Sequence, residues 1–302
     1  MGIMNNGKVS IVVTNLVLRY TYHKSSSIDD PVAYGEVDLP KDTIKDGTIV
    51  NKPVLLEVIK QLVQKHKWKR KKLFFAVPDD TVVIRQLQIP VSLSKEEAKG
   101  YVRTQIGNSF YLPFADPVIA LEFLDADQEN RNILLFAYPR EKISAFEEVF
   151  KEAGLKPAAA DLTSLSVYRY YFLTKSEEKD NVLLIHWNHS ALVLTAFQNH
   201  KAIFTRYMKI DVSEEKIIEE SAMKMIDELM IEINRIIDFY QYSITKGASK
   251  IDQLLLSGDF PFLSSAKTNL LETLTIPLYS FEDEELPVKF IDALGLALKQ
   301  DS

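Results

Sequence analysis

The chain has 302 residues, of which 46% are hydrophobic and 26% charged, with no cysteine and a formal net charge of −6. That balance belongs to a folded protein with room for two or three domains. Missing thiols exclude disulfides and thiolate metal centres and fit a reducing compartment, while the acidic total disfavours general nucleic-acid binding. Only 10 residues are glycine and no two are spaced G-x-G, against roughly 7% in an average chain. Phosphate cradles need such glycines, because the backbone must approach the oxygens in conformations that a side chain forbids. The first twenty residues lack the basic, apolar and small-residue sequence of a secretory signal. No apolar run approaches the roughly 18 to 20 residues of a spanning helix, so a membrane role is expected to be peripheral or through a partner.

"KVSIVVTNLVLRYTYHK" (8–24) reads as a β-hairpin broken at Thr14 and Asn15, and "AYGEVDLP" (33–40) as a third strand. "KPVLLEVIKQLVQKH" (52–66) carries Val54, Leu55, Val58, Ile59, Leu62 and Val63 at helical spacing, with Pro53 in the first turn. Lys67, Lys69, Arg70, Lys71 and Lys72 then surround Trp68. They read as a solvated, dipole-complementing helix end or as a contact with anionic headgroups with Trp68 at the interface. "KLFFAVPDDTVVIRQLQIP" (72–90) predicts two strands about a turn at Pro78-Asp79-Asp80, and Ser94 with Glu97 forms a capping box for the helix that follows. "DPVIALEFLDA" and "RNILLFAYP" are two more strands, and "REKISAFEEVFKEAGLKP" a helix closed by Gly154 and Pro157. Residues 72–155 are thus expected to form an α+β unit of their own. "AAADLTSLSVYRYYF" (158–172) reads as another helix, and "TKSEEKDN" (174–181) as a linker. Two apolar strands around "HWNHS" (186–190) follow, then a third strand, "HKAIFTRYMKI". A helical region at 213–244, a buried strand ending in Ser257-Gly258-Asp259, and a last helix through "KFIDALGLALK" complete the chain.

The order strand, strand, strand, helix occurs at 8–66 and again at 181–244, which gives an α/β fold of two similar halves. The first half is expected at 1–71 and 156–178, the inserted unit at 72–155, and the second half at 179–302. That plan resembles the actin-like (ribonuclease H-like) ATPase superfamily. Its fragments resemble the type IV pilus assembly proteins of the PilM family and their FtsA relatives. The matching stretches are "TIKDGTIVNKPVLLEVIKQL", "KKLFFAVPDDTVVIRQLQIP", "EEAKGYVRTQIGNSFYLPF", "FKEAGLKPAAADLTSLSVYR" and "IEINRIIDFYQ", in the family's order. The resemblance implies a cytoplasmic protein docked under the inner membrane, holding the short cytoplasmic tail of a PilN-type single-span partner. It also implies an ATP cleft between the halves, and it allows self-association of the kind that actin relatives show.

The cleft motifs are degraded. Where the family has D-I-G-S-x-S, this chain has Thr14 and Asn15 without an acid or a glycine; the second hairpin, D-I-G-x-x-x-T, is replaced by His186, Asn188 and Ser190. The loop L-S-G-G-G keeps Ser257 and Gly258 and turns to Asp259. Loss of both carboxylates removes the groups that hold hydrated magnesium, and Asp259 is expected to set a negative charge against an anionic ligand. No ATP hydrolysis and little or no ATP binding are therefore expected, and no cofactor. His186 and His189 lack the third ligand that zinc needs. Glu232, with Arg235, matches residues lining the family's cleft, or is a helix-surface pair at i,i+3. The leading functional expectation is a scaffold that grips a partner peptide between the inserted unit and the first half, with Arg85, Phe110, Tyr111 and Phe114 as candidate contacts. The alternative is a nucleotide-switched protein that changes the angle between its halves. A sugar or acyl kinase would need a catalytic Asp that stands in no recognisable motif here.

Overall fold

A computed structural model describes residues 7–24, 31–174, 179–210, 218–281 and 286–300. The first sheet starts as an antiparallel meander of β1 (Lys8–Val13), β2 (Val17–His23) and β3 (Ala33–Asp38). A two-stranded ribbon, β4 (Ile44–Lys45) and β5 (Thr48–Ile49), leads into α1 (Lys52–His66). Asn51 accepts a hydrogen bond from the Val54 amide to start α1, and Lys67, left-handed at φ 57°, ends it. β6 (Lys72–Val77) lies parallel to β1.

The chain then leaves the sheet through β7 (Val83–Pro90), α2 (Lys95–Gln105), β8 (Pro117–Ala126) and β9 (Asn130–Pro139). It returns by α3 (Arg140–Glu152), β10 (Lys156–Leu162) and α4 (Thr163–Thr174). The finished sheet has the order β10-β6-β1-β2-β3. β11 (Asn181–Asn188), β12 (Ala191–Gln198) and β13 (Lys201–Lys209) form the second meander. α5 (Glu219–Asp238) and a π-helical turn over Phe239–Ile244 follow. β14 (Gln253–Ser257), α6 (Leu263–Thr273) and β15 (Leu278–Ser280) come next, then a 3-10 turn (Val288–Phe290) and α7 (Ile291–Ala297). The second sheet runs β13-β12-β11-β14-β15. Each half is the same object, a three-stranded meander with two parallel strands added beside its first strand. The duplicated α/β plan read from the sequence is what the structure shows.

Several boundaries differ from the sequence reading. β6 and β7 do not form a hairpin: β6 bonds to β1 and β10 at the heart of the first sheet, while β7 pairs with β9 in the order β7-β9-β8. Phe146, Val149 and Phe150 of α3 pack with Leu55 and Ile59 in the first half's core. The inserted unit therefore comprises β7 to β9 rather than residues 72–155. It has its own core of Ile89, Val102, Phe110, Ile133 and Leu135. "KLFFAV" is apolar on both faces, as a parallel strand covered on both sides must be. Residues 158–162, expected in a helix, are the end of β10; their small alanines carry little strand signal. α6 and β15 were not expected at all. Part of the helical start expected at 213 falls at 213–217, outside the described residues.

Two helices join the halves. α4 sets Val167, Tyr168, Tyr170 and Tyr171 against Val182, Leu184, Phe197 and Leu255 of the second sheet. α7 returns from the second half to cover Val12, Phe74 and Ala76 of the first sheet with Ala293 and Leu296. At their crossing, a Cβ built on Gly295 would stand 1.8 Å from the Ser166 carbonyl oxygen, so the approach requires glycine.

Candidate functional site in and beside the cleft between the halves

The two hairpin turns face one another, as the duplicated fold requires. Thr14 and Asn15 meet Asn188 and Ser190 around a cavity of about 30 Å³, also lined by Asp79, Thr163 and Tyr207. That space holds a water or two, since one water needs about 10–15 Å³ of this measure. Thr14 and Asn15 are used locally: the Thr14 hydroxyl accepts from the Val17 amide (3.0 Å), and Asn15 Oδ1 accepts from the Gly47 amide (3.1 Å). Asp79, at the end of β6, is buried and accepts from the Ser164 hydroxyl at 2.7 Å and from its amide at the start of α4. Burial pushes its carboxyl up to about 7 despite those bonds.

Arg19 of β2 is fully buried and meets three carboxylates: Glu36 of β3 at 2.6 Å, Asp292 of α7 at 3.1 Å, and Asp259 after β14. Burial opposes its charge, but Asp292, Asp259 and Glu36 outweigh burial and hold the guanidinium above its ordinary pKa. Burial in turn lifts Asp292 to about 6. Asp259 also accepts from the His189 amide at 2.9 Å. Asp259 thus ties the second half to Arg19 of the first while its carboxylate still borders the cleft. Sequence reading missed Arg19 and Asp79. An arginine inside "VLRYTYH", a strand otherwise fit for the core, was the available signal.

His186 is buried, with Nδ1 2.7 Å from the Ser257 hydroxyl. Burial holds it down at about 4, so it is neutral at pH 7. Among the described residues no group of three or more His, Asp or Glu stands together to hold a metal. Gly258 has φ +122°, and a Cβ there would lie 2.0 Å from the Trp187 carbonyl oxygen. The loop after β14 is thus packed on protein backbone. Beside the Arg19 cluster a cavity of about 530 Å³ is lined by Glu36, Asp38 and Asp259, with Lys289 as its basic residue. Its charge disfavours anions. Glu232 lines none of these spaces; it pairs with Arg235 on the surface of α5.

A larger cavity, about 790 Å³, opens where the inserted sheet meets both halves. Phe136 and Val118 of that sheet, Ile143 and Leu165 of the first half, and Phe172 and Phe197 form much of its apolar wall. Tyr168 stacks on Phe197 at 3.7 Å and hydrogen-bonds His200 Nδ1 at 3.0 Å. Lys201 pairs with Glu122 at the rim.

None of the expected peptide contacts lines this cavity. Phe110 is a core residue of the inserted unit, a correction that follows from its apolar ring closing α2 over the sheet. Arg85 lies exposed, 5.7 Å from the Phe110 ring centroid, Phe114 is half-buried, and Tyr111 is 71% exposed. The interfacial position expected for Trp68 is also corrected. It is 1% exposed and packs on His66 (4.5 Å) and Tyr20 (5.2 Å), because a left-handed residue on either side turns its ring inward. Lys71 is buried over the Tyr22 ring, and Lys72 lies over Phe74 as the first residue of β6. Lys67, Lys69 and Arg70 are exposed.

The fold is similar to that of a PilM in a "PilM-PilN type IV pilus biogenesis complex", with a TM-score of 0.80 at 18% identity over 96% of this chain and 97% of that one. An ethanolamine utilization protein EutJ from Carboxydothermus hydrogenoformans matches with a TM-score of 0.54, at 12% identity over 97% and 89% of the two chains. MreB5 of Spiroplasma citri bound to ADP gives 0.53, at 9% identity over 96% and 94%. These likenesses place the chain in the actin-like ATPase fold. No curated protein matches it in sequence. The family profile described as type IV pilus assembly protein PilM matches residues 23–225, about two thirds of the chain, and the protein belongs to that family.

Proposed function

We propose that this protein is a non-catalytic scaffold of a type IV pilus, competence or secretion platform. It holds the cytoplasmic tail of a PilN-like membrane protein and is kept by that partner at the inner face of the cell membrane. Family membership and the likeness to a PilM–PilN complex support the assignment. Among the described residues no helix is long and apolar enough to cross a membrane. The observation that carries the reading is the contrast between the two spaces. Between the hairpin turns about 30 Å³ remains and the 530 Å³ beside them is walled by Glu36, Asp38 and Asp259, against about 790 Å³ with an apolar wall beside the inserted unit. The second is large enough for side chains of an extended segment, within the 300–1,000 Å³ or so typical of ligand sites. A nucleotide-switched reading is opposed by the missing acids and by the Arg19–Asp259 contact.

Calorimetric titration of a synthetic PilN-type tail peptide tests this directly. Phe172 lines the cavity and is 39% exposed, so Phe172→Glu is expected to keep the fold, which an unchanged melting temperature checks. We expect it to weaken the tail at least about tenfold, as loss of an apolar anchor does. Equal affinity in both proteins would remove the tail from this cavity. Mg-ATP titrated into the wild type is expected to give no heat of binding; micromolar affinity would restore the nucleotide switch.

A further inference from the structure

We propose that the corner between α1 and β6 binds anionic lipid headgroups directly, by charge and without insertion. The inference rests on the scaffold reading, in which a partner tail keeps the protein within reach of the bilayer. Lys65, Lys67, Lys69, Arg70 and Lys156 are all exposed. The backbone brings them together: the Arg70 amide donates to the Gly154 carbonyl at 2.7 Å, and the Lys156 amide to the Lys71 carbonyl at 2.9 Å. Lys67 and Arg70, at φ 57° and 63°, turn the chain so that Trp68 points in while the basic side chains between and around it point out. Among the described residues none of the five forms an ion pair. Of the acids of neighbouring α3, Glu147 is engaged with Lys151, and Glu148 and Glu152 with Lys52, while Glu141 lies in the first turn at the other end of the helix. Five positive charges thus share one corner of a chain whose net charge is −6.

The chemistry selects an extended anionic surface. None of the five residues lines any of the three cavities described above. Trp68 and Tyr22 are buried and half-buried His66 is already stacked on Trp68, so the corner offers little ring surface to nucleic-acid bases. Headgroups need neither a groove nor a ring. Near an anionic bilayer each Lys or Arg multiplies partitioning about fivefold, and the effect fades beyond a Debye length of ~8 Å at physiological salt.

Co-sedimentation with vesicles decides the matter, using phosphatidylcholine alone and phosphatidylcholine with one third phosphatidylglycerol. The test variant combines Lys65→Glu, Lys69→Glu and Lys156→Glu. These positions are exposed and avoid the two left-handed residues, and a matched melting temperature confirms the variant's fold. Wild type is expected on the anionic vesicles only, released by high salt, with partitioning at least about a hundredfold lower in the variant, since each change removes a positive charge and adds a negative one. The proposal is overturned by wild type that ignores anionic vesicles, by a variant that binds them equally, or by tighter binding to polyglutamate than to the vesicles. The same variant is expected to bind the tail peptide unchanged. Failure of wild type to bind that peptide, with vesicle binding intact, would sink the scaffold reading and leave the lipid surface standing.

Discussion

Arg19 shows how one side chain can decide what a cleft does. A buried charge is costly unless it is matched, and here three carboxylates from β3, the loop after β14 and α7 match it. Arg19→Met would leave those carboxylates crowded and uncompensated. It should lower unfolding stability by about 3–5 kcal/mol in urea titration. Arg19→Lys should recover only part, since one ammonium cannot replace a fork of donors that serves three partners. His186 gives a second test, with a definite sign. Its folded pKa, about 4, lies below the ordinary 6.5. The unfolded chain therefore takes up the proton first, and stability held above pH 6.5 is lost as pH falls towards 4. The stability difference between wild type and His186→Gln should shrink over that window by on the order of 3 kcal/mol. A difference that stays flat with pH would show that His186 titrates normally.

At the scale of elements, close approach and local signals divide what was legible from what was not. α1 and α2 are readable because their signals are local: the apolar spacing and first-turn Pro53 of α1, and the box of Ser94 and Glu97 beside α2. β6 was misassigned to a hairpin because its true neighbours are Lys8 and Lys156, far away in sequence, while β7 is adjacent and apolar. β10 was hidden by Ala158, Ala159 and Ala160, and short β15 by its three residues. Where α4 crosses α7, no local pattern around Gly295 signals the close approach that requires it. Gly295→Ala must push two helices apart against the Ser166 carbonyl and should cost more than about 2 kcal/mol in thermal unfolding. Gly100, exposed in α2 with nothing within 4 Å of a built Cβ, is the control. Gly100→Ala should stabilise by about 0.5–1 kcal/mol from helix propensity alone. If both changes cost the same, the crossing is not as tight as its geometry says.

For the whole molecule, the sequence revealed what the cleft had lost and concealed what replaced it. The missing acids at Thr14 and Asn15, and at His186 and Asn188, can be read by comparing short motifs. The Arg19 cluster draws on positions 19, 36, 259 and 292, a combination that no local pattern carries. Its consequence is mechanical. In an actin-like plan the halves can hinge about their crossing helices, and a ligand shifts that hinge only through affinity that differs between the two angles. Here Arg19 and Asp259 fasten the halves across the space where a nucleotide would exert that difference, and Lys209 with Asp46 (2.9 Å) adds an exposed tie. A chain without cysteine suits a direct measurement. Spin labels on Glu57→Cys of α1 and Glu272→Cys of α6, both exposed, report the distance between the halves. A single narrow distance is expected, unmoved by Mg-ATP, and Arg19→Met should broaden it by releasing Asp259. A distance that shifts when Mg-ATP is added would mean that the contact is a latch which nucleotide opens, and the static scaffold would have to give way to a switch.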